Sequence, residues 1–337
     1  MVSLVSSPVQ SIEPQRNANP FIFSPQLVHQ LQLLAFARKV LALACRLARP
    51  HPLPSARGRP PTYADETILV TVIVMAIWQL SPYQMADRLA RWPALAAACG
   101  YDPAHTISAS QLYRRRDQLG LVVYFVTFCA LVWQLIRRGV IRGQDLVLDS
   151  TLIDAFSRQD LDAAWHFAKR FGYKVHMLIC RDALLPVVFL VTPANRNDAP
   201  WAVPLLELFR RCFALPVRVV RADAAYFTRR IIAYICFVLR AHAVIDINPR
   251  RRGKKALATL AYIAWWRDAR GKRGYIERFF ALLKRYYGLN DLQVVGLYKV
   301  WRHTFEVCIA VLTVAWLAVD IGRPDLMHSK ARLLAPC

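Results

Sequence analysis

The hydrophobic pattern of this chain changes period once, near residue 144, and that switch constrains the fold more than any other feature. Upstream, across residues 62–140, apolar residues recur at helical spacing. Downstream come five short apolar runs: 145–150 (DLVLDS), 172–180 (GYKVHMLIC), 185–192 (LPVVFLVT), 217–223 (VRVVRAD) and 242–249 (HAVIDINP). Runs of this length and β-rich composition read as strands. Segments 197–212, 227–240 and 274–289 between and after them read as helices. Arg181-Asp182 separates the second and third runs and fits a hairpin. The resulting order, β-β-β-α-β-α-β-α, predicts a mixed α/β sheet with helices packed on it.

The N-terminal half reads differently. Residues 1–25 carry Pro8, Pro14, Pro20 and Pro25 among polar residues and read as a loose arm, and 26–49 read as a helix. Five prolines within 48–61 forbid a continuous helix there and mark a linker. Thr62 is the expected cap of a helix from about Ala64 to Leu80, with Asp65 and Glu66 in its first turn. Ser81-Pro82 starts the next, with serine as cap and proline at the first position. Ser108 or Ser110 caps a third that bears Arg114, Arg115 and Arg116. Two readings stand side by side for this region: a helix-turn-helix module that meets DNA, and a helical bundle with a solvated basic face.

Mean hydropathy is +0.26. The longest apolar run, Leu119–Ile136, has 18 residues with one glutamine and is followed by Arg137 and Arg138. Its length admits a membrane span. A buried helix in a large core accounts for it equally, and for the run Phe305–Ala318 with Glu306 near its start. The expectation is therefore core helices, with a membrane anchor as the rival.

Charge narrows the partner. Lys and Arg number 45 against 22 Asp and Glu, a net charge of +23. Residues 141–200 are balanced at seven of each sign, whereas 250–285 hold twelve basic residues against two acidic ones. So local an excess suggests an anion-binding surface beside something specific. Hydrophobic residues make up 56%, which excludes a disordered chain. The 8 cysteines never fall at C-x-x-C spacing, so a structural zinc site is not expected. Their scatter through apolar runs fits buried free thiols in a reducing compartment. The first 15 residues lack the pattern of a secretory signal.

Two aspartates stand where chemistry is commonly placed. Asp149 follows Leu146-Val147-Leu148, and Asp223 follows Val219-Val220-Arg221-Ala222. Sites in open α/β sheets gather at strand ends. Two carboxylates brought together there repel unless a cation lies between them, and hard oxygen ligands suit Mg²⁺ or Mn²⁺. Strand capping is the bland alternative for each. Asp154, five residues after Asp149, would face the other side of a continuing strand. Asp160 and Asp162 read as loop residues, Asp182 as a hairpin tip, and Asp246 as a structural residue inside the fifth strand. A third acid, Glu277, lies on a helix ended by Gly288. Glu277 and Lys284 are two turns apart and share a face, beside an apolar stripe of Ile276, Phe280, Leu283 and Tyr287. Arg273 reaches the same face if the helix starts early. A plain surface Glu–Lys face is the alternative here. Trp265 and Trp266 read as core residues more readily than as base-stacking ones, and His166 and His176 as ordinary polar contacts.

Together, Asp149, Asp223 and Glu277 with the Arg273-x3-Glu277-x6-Lys284 spacing resemble the DDE transposases of bacterial insertion sequences. The resemblance is to the group with a Tyr-x2-Arg-x3-Glu-x6-Lys signature on its glutamate helix; Arg270 stands at the tyrosine position. VLDST (147–151), GYKVH (172–176), ADAAY (222–226) and INPRRRGKK (247–255) are further matches in order. GRPPTYADETIL (58–69), LSPYQMADRLA (80–90) and SASQLYRRRDQL (108–119) resemble the helical DNA-binding region of the same group. The likeness spans roughly residues 58–320.

The resemblance implies an α/β RNase H-like catalytic core at 141–322. It follows a helical DNA-binding region at 62–140 and an arm, short helix and Pro-rich linker at 1–61, and it precedes a tail at 323–337. It implies two Mg²⁺ (or Mn²⁺) ions held by Asp149, Asp223 and Glu277, cleavage at transposon ends, and strand transfer into target DNA. Arg273 and Lys284 would contact DNA near the cut. Arg250, Arg251, Arg252, Lys254 and Lys255 would hold phosphates, and Arg114, Arg115 and Arg116 would help read the terminal repeats. A homodimer joining two ends, working in the cytoplasm on nucleoid DNA and not at a membrane, completes the expectation. The alternative within the family is a catalytically inactive relative that binds DNA in a sequence-specific way.

Overall fold

The computed structural model describes residues 25–48, 62–246 and 275–333. The basic segment with Arg250, Arg251, Arg252, Lys254 and Lys255, together with Arg273, Trp265 and Trp266, lies outside the described residues.

The β-rich runs form one mixed sheet. Its strands are β1 (Asp145–Asp154), β2 (Ala164–Trp165), β3 (Phe171–Cys180), β4 (Leu185–Pro193), β5 (Val219–Ala222) and β6 (His242–Ile245). β3 pairs antiparallel with β1 and β4, and β1, β5 and β6 run parallel, so the main order is β4-β3-β1-β5-β6. β2 adds two residues of ladder at the start of β3. Three antiparallel strands followed by two parallel ones on the other side of β1 is the RNase H-like arrangement. The hairpin expected at Arg181-Asp182 joins β3 to β4, with Cys180 opposite Leu185.

Register decides what each face meets. Asp149, Met177 and Phe189 form one cross-strand row, and Ser150, His176 and Leu190 the next. Paired residues share a face. Phe189 packs on Phe128, Trp301 and Phe305, at ring-centroid distances of 5.6, 5.7 and 4.6 Å. The Asp149 row therefore looks toward helices α6 (Gly120–Arg137) and α10 (Leu297–Asp320). The Ser150 row looks toward α7 (Ala199–Phe213), where Trp201 meets His176 at 5.9 Å and Asp198 precedes the helix.

The N-terminal helices are α1 (Pro25–Ala48), α2 (Asp65–Trp78), α3 (Pro82–Arg91), α4 (Pro93–Cys99) and α5 (Ala109–Gln118). Ser81 and Ser108 cap α3 and α5 with capping boxes, as their sequences predict. Thr62 does not cap α2; the residue at that position is Ala64, without a side-chain bond. The short helix α8 (Arg229–Ala233) runs on into a π turn over Tyr234–Val238. α9 (Tyr275–Tyr287) lies near β1, and α11 (Lys330–Leu333) closes the described chain.

Helix α10 is the spine of the core. It packs on α2, α6 and β4, and its residues from Thr304 to Ala318 are all buried. Two helices, α6 and α10, are long and apolar enough to cross a membrane; 39% of the most apolar stretch of α6 and 83% of that of α10 is buried inside the fold. A helix that is apolar all round is what a sheet on one side and helices on the other require. Its two buried charges are paired. Glu306 accepts hydrogen bonds from Arg116 of α5 and Tyr124 of α6, and Arg302 pairs with Asp117 and Glu306. Burial alone would raise the Glu306 carboxyl, but Arg116 and Arg302 hold it below the ordinary range.

Strand β1 outruns its expected end. Its pairing with β5 stops at Leu148–Ala222, yet pairing with β3 continues through Asp154–Gly172. The β-branched Thr151 and Ile153 suit that extension. At Gly172 a Cβ would stand 2.2 Å from the Ile153 carbonyl oxygen and 2.7 Å from the Ala155 nitrogen. Both are backbone atoms that cannot turn aside. Gly172→Ala is therefore expected to destabilise the fold by about 2–4 kcal/mol, read as a lower midpoint in chemical denaturation; an unchanged midpoint would show that the β1–β3 crossing is looser than described.

Candidate active site

The parallel ladder places the two aspartates side by side. Leu148 faces Ala222 as the last pair of β1 and β5, so Asp149 and Asp223 are the next residues on neighbouring strands. Asp149 lies at the point where β5 leaves β1, not at the end of β1 as the short apolar run suggests. Both are half-buried. Asp223 turns the chain: its Oδ1 accepts the Ala225 backbone N–H at 2.9 Å and starts a single 3-10 turn. Asp149 Oδ1 accepts the Ser150 N–H at 2.8 Å.

Asp246 corrects an expectation. It lies beyond β6, not within it, and its N–H bonds the Ala222 carbonyl at 3.3 Å. Ile245 is paired with Ala222, so Asp246 follows the same row as Asp149 and Asp223.

Glu277 approaches on α9. Three contacts fix the direction of that helix. The Arg181 guanidinium lies 5.5 Å from the Tyr275 ring and bonds Asp145 at the start of β1. Lys284 Nζ donates to the Leu152 carbonyl at 2.8 Å, and Asn290, just beyond the helix, accepts from the Asp154 N–H at 3.4 Å. The helix therefore runs parallel to β1. Seven helical residues back from Lys284 is about 10.5 Å; three strand residues back from Leu152 is about 10 Å. Glu277 thus comes level with Asp149, and α9 packs against α10, the layer that the Asp149 row faces. Glu277 itself is exposed, and among the described residues no three of the His, Cys, Asp and Glu side chains are grouped closely enough to hold a metal ion.

A polar network not anticipated from the sequence supports the aspartates from the α7 side. Asp198 accepts the Ser150 hydroxyl at 2.7 Å, lies 3.1 Å from Lys174 Nζ and 3.4 Å from His176 Nδ1. His176 Nε2 meets Thr192 Oγ1 at 3.0 Å. Tyr226 is buried with its hydroxyl beside this group. Its pKa is pushed well above the phenol range by burial and then by the carboxylates of Asp198, Asp149 and Asp223. The same hydroxyl thus lies near three carboxylates, of which Asp198 is paired with Lys174. The carboxylate oxygens of Asp149 and Asp223, on neighbouring strands, are hard donors of the kind that divalent cations take.

The three arginines of α5 do not share one face. Consecutive helical residues are 100° apart. Arg115 bonds Asp65 at 2.7 Å and the Tyr63 carbonyl at 3.1 Å, and Arg116 is the buried partner of Glu306. Of the three, only Arg114 is exposed, while Arg115 and Arg116 are engaged within the fold. Lys284 is half-buried and its ammonium tethers α9 to β1.

Residues 142–313 match the family described as Transposase DDE domain, just over half of the chain. The chain belongs to the DDE transposase family. A Brucella ovis protein whose name is that of a transposase for insertion sequence element IS6501 is 35% identical over 114 residues, 34% of this chain and 76% of that relative. The piggyBac transposase in a synaptic complex with hairpin DNA is similar over 93% of this chain and 80% of its own, with TM-score 0.43 and 10% identity. The Mos1 strand transfer complex is similar over 87% and 98%, with TM-score 0.22 and 11% identity. The family's match begins three residues before β1 and runs into α10, so it takes in the whole sheet and all three acids.

The network has a pH signature. Burial lowers His176 from 6.5 to about 4, with Asp198 opposing it and Lys174 adding a smaller push in the same direction. The unfolded chain then takes up its proton first as pH falls. Stability present above pH 6.5 is lost progressively toward pH 4, by up to about 3 kcal/mol. The fall in denaturation midpoint between pH 7 and 5 should be smaller for His176→Gln than for the native chain; equal falls would contradict this placement of the imidazole.

Proposed function

We propose that this transposase cuts DNA at the ends of an insertion sequence and joins the freed ends to target DNA. Asp149, Asp223 and Glu277 act as its carboxylate set. The observation that carries the reading is the adjacency of Asp149 and Asp223 where β1 and β5 part, with the glutamate helix running alongside β1.

Asp149 and Asp223 would hold divalent ions, Mg²⁺ or Mn²⁺, and Glu277 would supply the third carboxylate. When bound, such ions lower the pKa of an attacking water or 3′-hydroxyl and stabilise the charge that develops on the leaving 3′-oxygen. The protein's own part is geometric. The β1–β5 ladder holds the two aspartates at a fixed spacing. Asp198, itself held by Lys174 and His176, accepts the hydroxyl of Ser150, next to Asp149. The Lys284–Leu152 bond sets the height of Glu277 against β1.

DNA is the expected polyanion for a chain of net charge +23. Arg250, Arg251, Arg252, Lys254, Lys255 and Arg273 are assigned to phosphates near the cut. Lys284 keeps that role only through the ammonium donors that the Leu152 bond leaves over. Arg114, on the helical region 62–140, is assigned to the terminal repeats. Two DNA ends call for two copies of the chain, and a homodimer on DNA is part of the proposal.

The test uses the purified chain with a duplex carrying the inverted repeats of its own element, in Mg²⁺ or Mn²⁺. Asp223→Asn keeps an acceptor for the Ala225 N–H but removes a charge. Strand cleavage should fall by about a hundredfold or more, with DNA affinity and thermal midpoint preserved. Undiminished cleavage would refute the assignment. A native chain that binds the duplex and never cuts it would favour a DNA-binding relative without activity.

A further inference from the structure

Four exposed large apolar side chains, among them the two most exposed of the described residues, gather in one short loop. Between β1 and β3, Phe156 is 58% exposed, Leu161 98%, Trp165 57% and Phe167 92%. Water-facing aromatics at this density mark a contact surface. The loop is nonetheless built rigidly. His166 and Arg170 close a tight hairpin through an N–H···O bond of 2.8 Å, with Phe167 at its tip and Lys169 in the left-handed region at φ 57°. The Trp165 ring packs against Phe171 at a 52° tilt with centroids 5.4 Å apart, and the Arg158 guanidinium lies 4.7 Å from the Trp165 ring centroid.

Each acid of this loop is bonded within the fold. Asp160 is buried and accepts the Tyr173 hydroxyl at 2.6 Å and the Gly296 N–H at 3.1 Å. Asp162 accepts the Leu297 N–H at 2.8 Å, at the start of α10. Asp154 is paired with Arg170. Arg158 and Lys169 are left outward with the aromatics. A clamped hairpin that shows flat rings and cations, and engages each of its carboxylates in bonds within the fold, is complementary to nucleic-acid bases and phosphates. It stands on the extension of the strand that carries Asp149, five residues further on, or about 17 Å, the span of about five stacked nucleotides.

We infer that the 155–171 hairpin is a stacking platform for unpaired bases of the DNA strand, about five nucleotides from the point of cleavage. Phe167 and Trp165 supply the ring faces, and Arg158 and Lys169 the phosphate contacts. The inference rests on the reading of this chain as a protein that acts on DNA. It adds a site for unpaired bases, outside the acidic centre and the basic segment.

The experiment uses the full chain and two fluorescent probes, a single-stranded dT 20-mer and a blunt 20-base-pair duplex, followed by anisotropy at one salt concentration. Trp165→Ala/Phe167→Ala should weaken dT 20-mer binding by about tenfold and leave duplex binding within about twofold. Phe167→Trp should bind the dT 20-mer as the native chain does. Unchanged dT 20-mer binding overturns the proposal, and so does an equal loss on both probes. If the double variant instead turns a dimer into a monomer in sedimentation, the hairpin is an interface between copies of this chain and the proposal is wrong. Intact duplex binding with an indifferent dT 20-mer response sinks the platform alone. A native chain that binds neither probe sinks the DNA reading as well.

Discussion

Two like charges placed on neighbouring parallel strands, at the position where those strands separate, are the constraint on which the rest of this structure turns. Asp149 and Asp223 follow the last paired row of β1 and β5 and cannot move apart without breaking that ladder. Half-buried carboxylates so placed repel unless a counter-charge is supplied. Elsewhere in the same ladder the fold supplies one from within. Asp145, at the other end of β1, is held by Arg221 at 2.7 Å and Arg181 at 2.9 Å. The end that carries Asp149 and Asp223 instead lies beside a third carboxylate, Asp198, and a buried tyrosine. One end of β1 carries two arginines on its carboxylate, and the other gathers Asp149, Asp223 and Asp198 around Lys174 and the buried Tyr226.

The surroundings serve that end of the sheet. α10 gives up its exposed face entirely, so that β4, α6 and α2 share one core around it. Its charged pair with Arg116 and Arg302 ties α5 to the same core, and breaking such a buried pair would strand a charge. The helical region and the sheet are thereby joined through side chains far from the acids. α9 lies against β1 through Lys284, so the height of Glu277 is set by a side chain–backbone bond and not by α9's own exposed first turn.

Much of this was legible in the residues. Parallel-strand runs followed by aspartate, the hairpin at Arg181, and the seven-residue spacing of Glu277 and Lys284 are local patterns, and local patterns survive in sequence. Capping boxes at Ser81 and Ser108 belong to the same class. What escaped notice was non-local. Lys174, His176 and Asp198 meet only because β3 pairs with β1 and α7 begins beneath them; their signal was present in GYKVH but carried no chemistry by itself. Tyr226, in ADAAY, is similar. Asp246 reads as a strand residue in HAVIDINP, whereas it follows the last residue of β6, Ile245. Arg114, Arg115 and Arg116 misled for a geometric reason: a run of like charges looks like a surface, but a helix sends neighbouring residues 100° apart, and Glu306, 190 residues away, claims one of them.

The central claim is that Asp149, Asp223 and Glu277 converge on shared divalent ions. Localised oxidative cleavage tests it most directly: Fe²⁺ is bound in place of Mg²⁺, ascorbate and peroxide are added, and the protein fragments are mapped by mass spectrometry. The account predicts cuts clustered around residues 149, 223 and 277, all suppressed by excess Mg²⁺ and lost together in Asp223→Asn. Cuts near 149 and 223 with none around 277, or cuts that excess Mg²⁺ does not suppress, would contradict it.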